Sequence, residues 1–436
     1  MKKIKFYKNK IAIIGLGYVG LPLAVEFSKK FKVVGYDIDS KKIENIRKKK
    51  KISEITKKNY SQLNSIKLTS DQNLLKTCNI FIITVPTPVH KNNKPDLSLL
   101  IKATNDVGKI IKHGDLIIFE STVYPGTTEE ICVPILEKGS NLSFLNHEKD
   151  KLIKKSFFLC GYAPERINPH DRTHLLPNTN KIVCGSTKKS TVFIKKLYKT
   201  IIKKQVFAAA NIKVAEASKM IENVQRDLNI ALINELSIIF NKLGIKTLDV
   251  LKAAGTKWNF SKFYPGLVGG HCIGVDPYYM AHKAKLLKVK SDLILGGRKI
   301  NDGMANYAGK KFLSSLQKKT KNNKKKRVLI MGVTFKENCP DVRNSKIMDI
   351  YQYLKKKKVI IDLYDPIANK HEFEKLYKAK LINKIRKNFY DGILISVRHL
   401  KFVKLGLNKI KKFARKESII FDLKSIFPKD KTDFSL

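Results

Sequence analysis

Short apolar runs, each followed by a glycine-rich or polar turn, recur along the first 200 residues of the chain. The runs at 11–15, 33–36, 80–85 and 116–120 contain too few residues for ordinary helices and show little polar alternation. That pattern is typical of strands buried on both faces of a parallel sheet. We expect a further strand at 182–184 to close this region. The order of these runs predicts a doubly wound α/β domain.

The first run leads directly into a glycine motif. Gly15, Gly17 and Gly20 form a GxGxxG pattern, a helical segment follows to Lys29, and the second strand ends in Asp37. In this context the glycines permit a tight turn, the approach of a pyrophosphate, and close packing of helix on strand. A carboxylate at the position of Asp37 accepts hydrogen bonds from a ribose and disfavours a 2′-phosphate. The motif therefore predicts NAD, rather than NADP, as cofactor.

Two further turns follow predicted strands, and a third comes shortly before the last of them. They are 86–88, 121–128 and 163–168, and each is proline-containing or rich in hydroxyl and charged residues. Ligands of doubly wound sheets lie outside the carboxyl ends of the strands, although such turns also occur without any ligand. The residues predicted to contact the cofactor are Gly15, Gly17, Tyr18, Val19, Gly20, Asp37, Pro86, Thr87 and Thr122.

A helical period replaces the strand pattern from residue 212 to residue 243. Apolar residues recur at Val214, Ala217, Ile221, Val224, Leu228, Ala231 and Leu232. Neither glycine nor proline interrupts the segment before Gly244, so one long helix is predicted, which joins two domains and offers a dimer surface. Lys219 and Asn223 lie four residues apart and share one face of this helix. A single helical lysine is more commonly solvated, so this pair alone does not define a site.

A second α/β pattern begins after the Lys- and Asn-rich segment 318–327. Its apolar runs lie at 328–331, 359–364, 392–396 and 419–423, and none is followed by GxGxxG. This part of the chain is therefore expected to bind something other than a second dinucleotide. The predicted fold class is α/β, with two Rossmann-like doubly wound domains joined by a long central helix. The predicted domains are 1–205, 206–316 and 317–436.

Composition limits the classes of protein that the chain can represent. The chain has 436 residues, 43% of them hydrophobic, and a formal net charge of +50. No segment is apolar over the roughly 20 residues that a membrane helix requires, and the N-terminal run lacks a signal-peptide cleavage pattern, so a cytoplasmic location is expected. Lysine is spread along the whole chain rather than clustered with aromatic residues, which disfavours a nucleic-acid partner.

The cysteines and histidines give little support to a metal site or a disulfide framework. Six cysteines are scattered without a CxxC pair. His170 and His174 have helical ligand spacing, but prolines flank them and no carboxylate-rich motif follows, so we expect no metal.

A cysteine in a glycine-rich segment is the strongest candidate for covalent chemistry. Gly269 and Gly270 precede Cys272, and Asp276 follows it by four residues. Glycines let the backbone approach a bulky ligand, and a thiolate is the nucleophilic form of cysteine. Taken alone, the segment favours a small buried cysteine in a turn.

With these motifs in place, the chain resembles the nucleotide-sugar 6-dehydrogenases, the UDP-glucose/GDP-mannose dehydrogenase family, over nearly its whole length. Within that family it is most similar to bacterial UDP-N-acetylhexosamine dehydrogenases of surface-polysaccharide pathways. The motifs that carry the resemblance are 15–20, 85–88, 121–128, 164–166, 216–223, 269–276, and Phe335-Lys336 with Arg343.

The resemblance implies a reaction and a set of roles. It implies oxidation of a sugar C6 alcohol to a carboxylate with two NAD, through a thiohemiacetal and a thioester on Cys272. Lys219 and Asn223 would stabilise the oxyanion, and Asp276, Thr122 and Glu165 would position the hydrolytic water. The implied substrate-binding residues are Glu165, Arg166, Lys219, Asn223, Gly269, Lys336 and Arg343. A UDP-sugar substrate and a homodimer are the implied partners.

Three alternatives remain open at this point. The substrate could be UDP-glucose, because the sequence does not distinguish among the sugars. A two-electron hydroxyacid dehydrogenase of the 6-phosphogluconate type also combines a Rossmann domain with a long helix, but it needs neither the GGxC cysteine nor a UDP-binding second α/β domain. A nucleic-acid-binding protein would rest on charge alone, and its binding would weaken steeply with salt.

Overall fold

The computed structural model describes residues 9–50, 52, 54–90, 92–146, 156–165, 175–270, 272–319 and 325–436. The chain divides into two compact units. The first comprises Met1–Glu222 with Tyr278–Leu287, and the second comprises Asn223–Pro277 with Lys288–Leu436.

The first unit is built around a mainly parallel sheet. Its strands are β1 (Lys10–Ile14), β2 (Lys32–Tyr36), β3 (Ile66–Thr69), β4 (Ile80–Ile83), β5 (Leu116–Phe119), β6 (Ser143–Phe144), β7 (Phe157–Tyr162), β8 (Lys181–Gly185) and β9 (Val206–Ala208). Its helices are α1 (Gly20–Ser28), α2 (Ser40–Arg47), α3 (Ser98–Gly108), α4 (Val133–Ser140) and α5 (Lys188–Lys199), with a π-helical turn at Thr128–Cys132 before α4.

The strand order of this sheet is that of a dinucleotide-binding fold. Among the described residues the order is β3-β2-β1-β4-β5-β7-β8-β9, with β6 paired to β7. Neighbouring strands run parallel except at the β7–β8 pair. All residues of β4 and β5 are buried, as expected for central strands covered on both faces. The strand order reverses direction between β1 and β4. Folds of this kind bind their ligands in the crevice at the carboxyl ends of two such strands.

The first sheet does not close at the predicted strand 182–184. That segment forms part of β8, and a further strand, β9, pairs with it in parallel after α5. β9 is apolar but has only three residues, and just one of them is buried. A run this short gives a weak strand signal.

The predicted long helix is α6 (Ile212–Lys242), a helix of 31 residues. At about 1.5 Å per residue it is roughly 46 Å long. Gly244 ends it with a φ of +72°, and the N–H of Ile245 donates to the carbonyl of Phe240 at 2.8 Å. This is the hydrogen bond of a Schellman motif, in which glycine takes the left-handed conformation.

The second unit contains the remaining elements. They are α7 (Thr247–Ala254), α8 (Asp276–Leu286), which ends in the first unit, α9 (Asp292–Lys319), β10 (Arg327–Met331), α10 (Ile347–Lys356), β11 (Ile360–Tyr364), α11 (Lys370–Tyr377), β12 (Tyr390–Ile395), α12 (Leu400–Leu405), α13 (Leu407–Lys411) and β13 (Ala414–Asp422). In the described residues its sheet has the order β11-β10-β12-β13, with every pair parallel.

Helix α9 packs directly on this second sheet. The ring of Phe312 meets Phe421 edge to face with centroids 5.0 Å apart. A Cβ on Gly392 would lie 2.8 Å from the Phe312 ring, so the glycine in β12 allows the helix to approach. The prediction of two Rossmann-like α/β folds with a long helix is confirmed, whereas the exact three-domain division stays a prediction. Within the described part of the chain, no helix is both long and apolar enough to cross a membrane.

Candidate active site

The glycine motif after β1 has the geometry that its spacing predicts. Gly15 has a φ of +92°, and a Cβ on Gly20 would lie 1.8 Å from the carbonyl oxygen of Gly15. A Cβ on Gly17 would meet nothing within 4 Å. The first and third glycines are therefore required by the protein itself, whereas the second leaves open space beside the turn.

Asp37 lies at the carboxyl end of β2, next to this turn. Its Oδ2 accepts a hydrogen bond from the backbone N–H of Leu16 at 2.9 Å, and its Oδ1 accepts one from the N–H of Asp39 at 3.1 Å. The ammonium of Lys42 lies 2.9 Å from Oδ2. The carboxylate is thus oriented toward the glycine turn by the backbone on both sides.

The turns after β4 and β5 are joined by hydrogen bonds. The hydroxyl of Thr87 donates to the carbonyl of Thr122 at 2.6 Å, and the hydroxyl of Ser121 donates to the carbonyl of Val85 at 2.6 Å. Tyr279 donates its phenolic O–H to the carbonyl of Thr87 at 2.9 Å. The structure therefore brings the predicted residues Thr87 and Thr122 together.

The loop after β5 is also held by Glu216 on α6, to which no role was assigned from the sequence. The buried carboxylate accepts the N–H groups of Gly126 at 2.5 Å and Thr128 at 2.9 Å. Burial raises the pKa of Glu216 to about 7, against the opposing effect of these hydrogen bonds. Glu216 stabilises the loop by satisfying backbone donors that would otherwise be buried without acceptors.

These features fit a bound dinucleotide. The open space at Gly17 admits a pyrophosphate, and Asp37 lies where a carboxylate accepts hydrogen bonds from a ribose. Tyr18, Val19 and Thr87 are half-buried and Pro86 is exposed, so each has surface left for a ligand. Bound NAD supplies the acceptor for hydride.

Glu165 and Lys219 are also buried in the first unit. Glu165 follows β7 and its carboxylate pairs with the ammonium of Lys181 at 2.6 Å. Lys219 lies on α6 and is 5% exposed, unlike an ordinary solvated helical lysine. Arg166, His170 and His174 lie outside the described residues.

Cys272 lies in the second unit and is exposed, whereas the other five cysteines are buried. Burial raises the pKa of each of those five thiols. The carbonyl of Cys272 accepts the N–H of Asp276 at 2.8 Å, which places the cysteine in the turn that leads into α8. The interpretation of Cys272 as a small buried side chain is therefore wrong.

Asn223 and Asp276 form a buried pair in the same unit. The amide Nδ2 of Asn223 donates to Oδ2 of Asp276 at 2.5 Å, and each residue is 1% exposed. The pair joins the start of α8 to α6. It brings two predicted catalytic residues together, and Asp276 lies only four residues beyond Cys272 in the chain.

The glycine segment before Cys272 is fixed by side chains that were not predicted. The side-chain amide of Asn234 makes two hydrogen bonds to the backbone of Gly266. Its Nδ2 donates to the carbonyl at 3.0 Å, and its Oδ1 accepts the N–H at 2.8 Å. Asn301 accepts from Asn234 at 2.7 Å and donates to Asp227 at 2.7 Å. Asp227 in turn pairs with the buried guanidinium of Arg298 at 2.6 Å. This polar network attaches the segment to α6 and α9.

Gly269 and Gly270 pack against the loop that follows β10. A Cβ on Gly269 would lie 2.5 Å from the carbonyl of Asn344, and one on Gly270 would lie 2.8 Å from the ring of Phe335. Gly270 has a φ of +86°, and its N–H donates to the carbonyl of Asn344 at 3.2 Å. Side chains at either position would separate the two segments.

Lys336 and Arg343 lie on this loop after β10. The ammonium of Lys336 lies 5.8 Å from the centre of the Phe335 ring. Arg343 makes a two-pronged contact with Asp341, from Nε to Oδ1 at 3.0 Å and from Nη2 to Oδ2 at 2.7 Å. Asp341 therefore sets the direction of the guanidinium, which remains partly exposed.

Comparison with known proteins connects these features to one family. Three models of the UDP-glucose/GDP-mannose dehydrogenase family match the chain. The NAD binding domain matches residues 9–202, the central domain 213–303 and the UDP binding domain 329–429.

Individual relatives extend over nearly the full chain. The UDP-N-acetyl-D-glucosamine 6-dehydrogenase of Pseudomonas aeruginosa is 46% identical, covering 98% of this chain and 99% of its own. The enzyme of the same name from Salmonella typhi is also 46% identical, covering 98% of each chain. The structure of a UDP-D-ManNAc dehydrogenase from Pyrococcus horikoshii has a TM-score of 0.85 at 29% identity, over 98% of both chains. The chain accordingly belongs to the UDP-glucose/GDP-mannose dehydrogenase family and is an NAD-dependent UDP-sugar 6-dehydrogenase.

Proposed function

We propose that the chain oxidises the C6 hydroxyl of a UDP-N-acetylhexosamine to the uronic acid, for the synthesis of a surface polysaccharide. The relatives named UDP-N-acetyl-D-glucosamine 6-dehydrogenase are 46% identical, against 32% for a UDP-N-acetyl-D-mannosamine dehydrogenase from Pyrococcus horikoshii. This difference favours the gluco configuration, with the galacto epimer and UDP-glucose as the alternatives.

The exposed thiol of Cys272 is the observation that carries the four-electron route. Loss of a hydride and a proton from the C6 alcohol gives an aldehyde, and the thiolate adds to it to form a thiohemiacetal. Loss of a second hydride gives a thioester, and water then releases the carboxylate and the thiolate. The complete reaction consumes one water, transfers two hydrides to two NAD and releases three protons.

Charged and polar side chains supply the remaining roles. Lys219 and Asn223 stabilise the oxyanion of the thiohemiacetal, since fixed donors in a dry site act strongly on developing charge. Asp276, Thr122 and Glu165 position the hydrolytic water, and the buried Asn223–Asp276 pair supports that role for Asp276. Gly269, Arg166, Lys336 and Arg343 bind the UDP-sugar.

The surface of α6 supports a homodimer in our proposal. Its side chains Val214, Ile221, Leu232 and Ile239 are between 45% and 61% exposed. Their spacings of 7, 11 and 7 residues place them on one face of a helix. A row of exposed apolar side chains indicates a protein contact. We also propose a cytoplasmic location, with no nucleic-acid, membrane or metal partner.

The nucleophile is tested by Cys272→Ser. A serine hydroxyl is a poorer nucleophile at neutral pH, and an ester is hydrolysed more slowly than a thioester. We expect turnover to fall on the order of 10³-fold or more, with NAD and UDP-sugar binding nearly unchanged. Turnover is followed as NADH formation, and binding by titration. Cys78→Ser is the matched control, because its side chain is buried beside Thr77, 4.0 Å away, and should keep turnover.

The stoichiometry and a substrate panel distinguish the alternatives. The wild type should form two NADH for each sugar acid, with the highest kcat/KM for UDP-N-acetyl-D-glucosamine. One NADH per sugar with an aldehyde product, or wild-type rates in Cys272→Ser, would overturn the thioester route. Higher kcat/KM for UDP-glucose would overturn the assigned substrate but not the route.

A further inference from the structure

A buried ion cluster lies behind the carboxyl ends of β5 and β7. The ammonium of Lys181 lies 2.6 Å from Oε2 of Glu165 and 3.0 Å from Oε2 of Glu120. Tyr198 donates its O–H to the other oxygen of Glu120, and the ammonium lies 5.1 Å from the centre of the Tyr198 ring. The side chains of the three charged residues are at most 3% exposed.

The cluster joins two loops that carry residues of the proposed active site. Glu120 directly follows β5 and precedes Thr122 by two residues, and Glu165 follows β7. Lys181 is the first residue of β8, which pairs antiparallel to β7, so its side chain reaches both carboxylates from a neighbouring strand. A single ammonium therefore holds the Thr122 loop and the Glu165 loop together.

Two buried carboxylates share the ammonium of Lys181. Burial raises the pKa of Glu120 to about 7, and the charge of Lys181 opposes that rise. Burial by itself would lower the pKa of Lys181, but the two carboxylates outweigh it and raise this pKa. Glu120 is stabilised from its other side by Tyr198, and the shorter of the two ammonium contacts goes to Glu165. Two carboxylates share one cation, and without it both would be buried without a countercharge.

We propose that Lys181 is a positioning residue, which supplies the countercharge for the buried Glu165 carboxylate and orients it for hydrolysis of the Cys272 thioester. Glu120 and Tyr198 fix the ammonium in place. This inference rests on the role proposed above for Glu165. It places the control of the hydrolytic half-reaction in a residue that contacts neither the sugar nor the cofactor.

Lys181→Met tests the inference through the pH dependence of hydrolysis. A cation at this distance lowers a carboxyl pKa by about 1 to 3 pH units, so its loss should move the acidic limb of the kcat profile upward by that amount. Below the limb, kcat should fall about 10- to 10³-fold, since each pH unit is tenfold. Two NADH should still form once on each enzyme, and a sugar thioester on Cys272 should accumulate at pH 7 and decline at higher pH, as measured by mass spectrometry.

Two variants and a control separate this effect from misfolding. Lys181→Arg keeps the charge and should restore much of the wild-type profile. Glu120→Gln removes a competing carboxylate while keeping an acceptor for Tyr198, so it should move the acidic limb to lower pH. Lys195→Met, an exposed lysine on α5, should match the wild type. If Lys181→Met fails to bind NAD, the opposite shift in Glu120→Gln still supports the inference.

The outcomes are distinguishable from failure of the proposed function. One NADH per sugar in the wild type, or no adduct in Glu165→Gln, would overturn the thioester route or the role of Glu165, and this inference with it. An adduct in Glu165→Gln, together with a wild-type acidic limb in Lys181→Met, would overturn this inference alone. An unmoved limb in Glu120→Gln would also overturn it.

Discussion

The two sheets begin with the same arrangement of glycine and acid. Gly15 and Gly332 follow the first strand of their respective sheets, with φ values of +92° and +97°. In each case the next residue donates its N–H to an aspartate at the end of the neighbouring strand, to Asp37 at 2.9 Å and to Asp365 at 2.8 Å. The glycine permits the turn, and the carboxylate holds it.

A hydroxyl side chain completes both turns. The hydroxyl of Thr84 lies 3.0 Å from the carbonyl oxygen of Ile14 and 2.6 Å from that of Gly15. Ser396 has its hydroxyl at the same distances from two carbonyls, 3.0 Å and 2.6 Å, at the end of β10 and at Gly332. The first strands of two dissimilar sequences are thus terminated by equivalent hydrogen bonds.

The two aspartates differ in the rest of their environment. Asp365 accepts from three backbone N–H groups and from Nε2 of His399 at 3.1 Å, and its side chain is fully buried. Nδ1 of His399 accepts the N–H of Asn338, so Nε2 carries the proton directed at Asp365. Asp37 accepts from two backbone groups and from Lys42, whose side chain is 30% exposed. Asp365 is saturated by the protein, whereas the side chain of Asp37 keeps 11% of its surface exposed.

The two turns also differ in the segment that comes after the glycine. Helix α1 begins at Gly20, five residues after Gly15, whereas α10 begins at Ile347, fifteen residues after Gly332. The first turn therefore directs a helix N-terminus toward its ligand, an arrangement that favours phosphate. The second turn instead leads into the loop that contacts the Cys272 segment. The comparison shows that the glycine and the acid build the turn, and that the surrounding residues decide whether it binds a dinucleotide.

The largest expected effect comes from Asp365→Asn. The new amide NH₂ would face the N–H of Val333 and Nε2–H of His399, leaving two buried donors without an acceptor. At about 1 to 3 kcal/mol for each such group, the free energy of unfolding should fall by about 2 to 6 kcal/mol. Asp37→Asn would leave one backbone donor without an acceptor rather than two, so it should lose about half as much, about 1 to 3 kcal/mol. Urea denaturation measures both, and equal losses would contradict the comparison.

The pH dependence of unfolding should follow the same difference. Burial opposes ionisation of Asp365, but the His399 hydrogen bond and charge and the backbone N–H groups outweigh it and lower its pKa. A lowered pKa stabilises the fold above the unfolded value of about 3.9, and this stabilisation disappears as pH falls through the lower folded value. The gap between wild type and Asp365→Asn should therefore narrow in acid.

The glycines test the ligand-binding half of the comparison. In Gly20→Ala the new methyl group would lie 1.8 Å from the Gly15 carbonyl oxygen and 2.4 Å from the Thr84 hydroxyl. The free energy of unfolding should therefore fall by about 1 to 3 kcal/mol. Gly17→Ala has open space and should keep its stability within about 0.5 kcal/mol. Its KM for NAD should rise roughly tenfold, since about 1.4 kcal/mol of binding is enough for that change.

A third glycine provides the control for both variants. Gly303 is exposed on α9, and a Cβ there would meet nothing within 4 Å. Gly303→Ala should leave the KM for NAD unchanged. Equal KM values for NAD in Gly17→Ala and wild type would contradict the placement of the pyrophosphate beside Gly17.

The strands and the glycine turn could be predicted because their signals are local. An apolar run, a GxGxxG motif and an acid at the next strand end occur within 30 residues of sequence, and α6 shows its period over a single segment. The contacts that hold the candidate site are long-range. Glu216 binds a loop 88 to 90 residues away, Lys181 reaches Glu120 over 61 residues, and Asn234 reaches Asn301 over 67. No spacing rule predicts such pairs, since they depend on how the elements pack.

Even the equivalence of the two turns was hidden in the sequence. Asp365 and Ser396 were visible as polar residues at predicted strand ends, but the second glycine has no GxGxxG partner glycines. The sequence alone thus indicated two similar folds and different ligands. The shared hydrogen bonds emerge only from the backbone geometry.

The smallest expected effect concerns Lys42 and the choice of cofactor. The wild type should prefer NAD over NADP on the order of 10²-fold in kcat/KM, because a carboxylate beside a 2′-phosphate costs several kcal/mol. Lys42 lies 2.9 Å from Asp37 and partly neutralises that carboxylate. Lys42→Met should therefore increase the preference for NAD, and Lys41→Met, another exposed lysine of α2, serves as control.

The size of the Lys42 effect follows from its exposure. Partly exposed ion pairs are worth about 0.2 to 1 kcal/mol, so the preference for NAD should increase by about fivefold at most. Screening shortens the reach of such charges, and the difference between Lys42→Met and wild type should shrink as salt is raised from low to about 0.5 M. The measurement is kcat/KM for both cofactors at two salt concentrations. A fall in the NAD preference of Lys42→Met would mean that Lys42 acts mainly by orienting Asp37, and comparable kcat/KM for the two cofactors in the wild type would refute the assignment of Asp37 as the selecting residue.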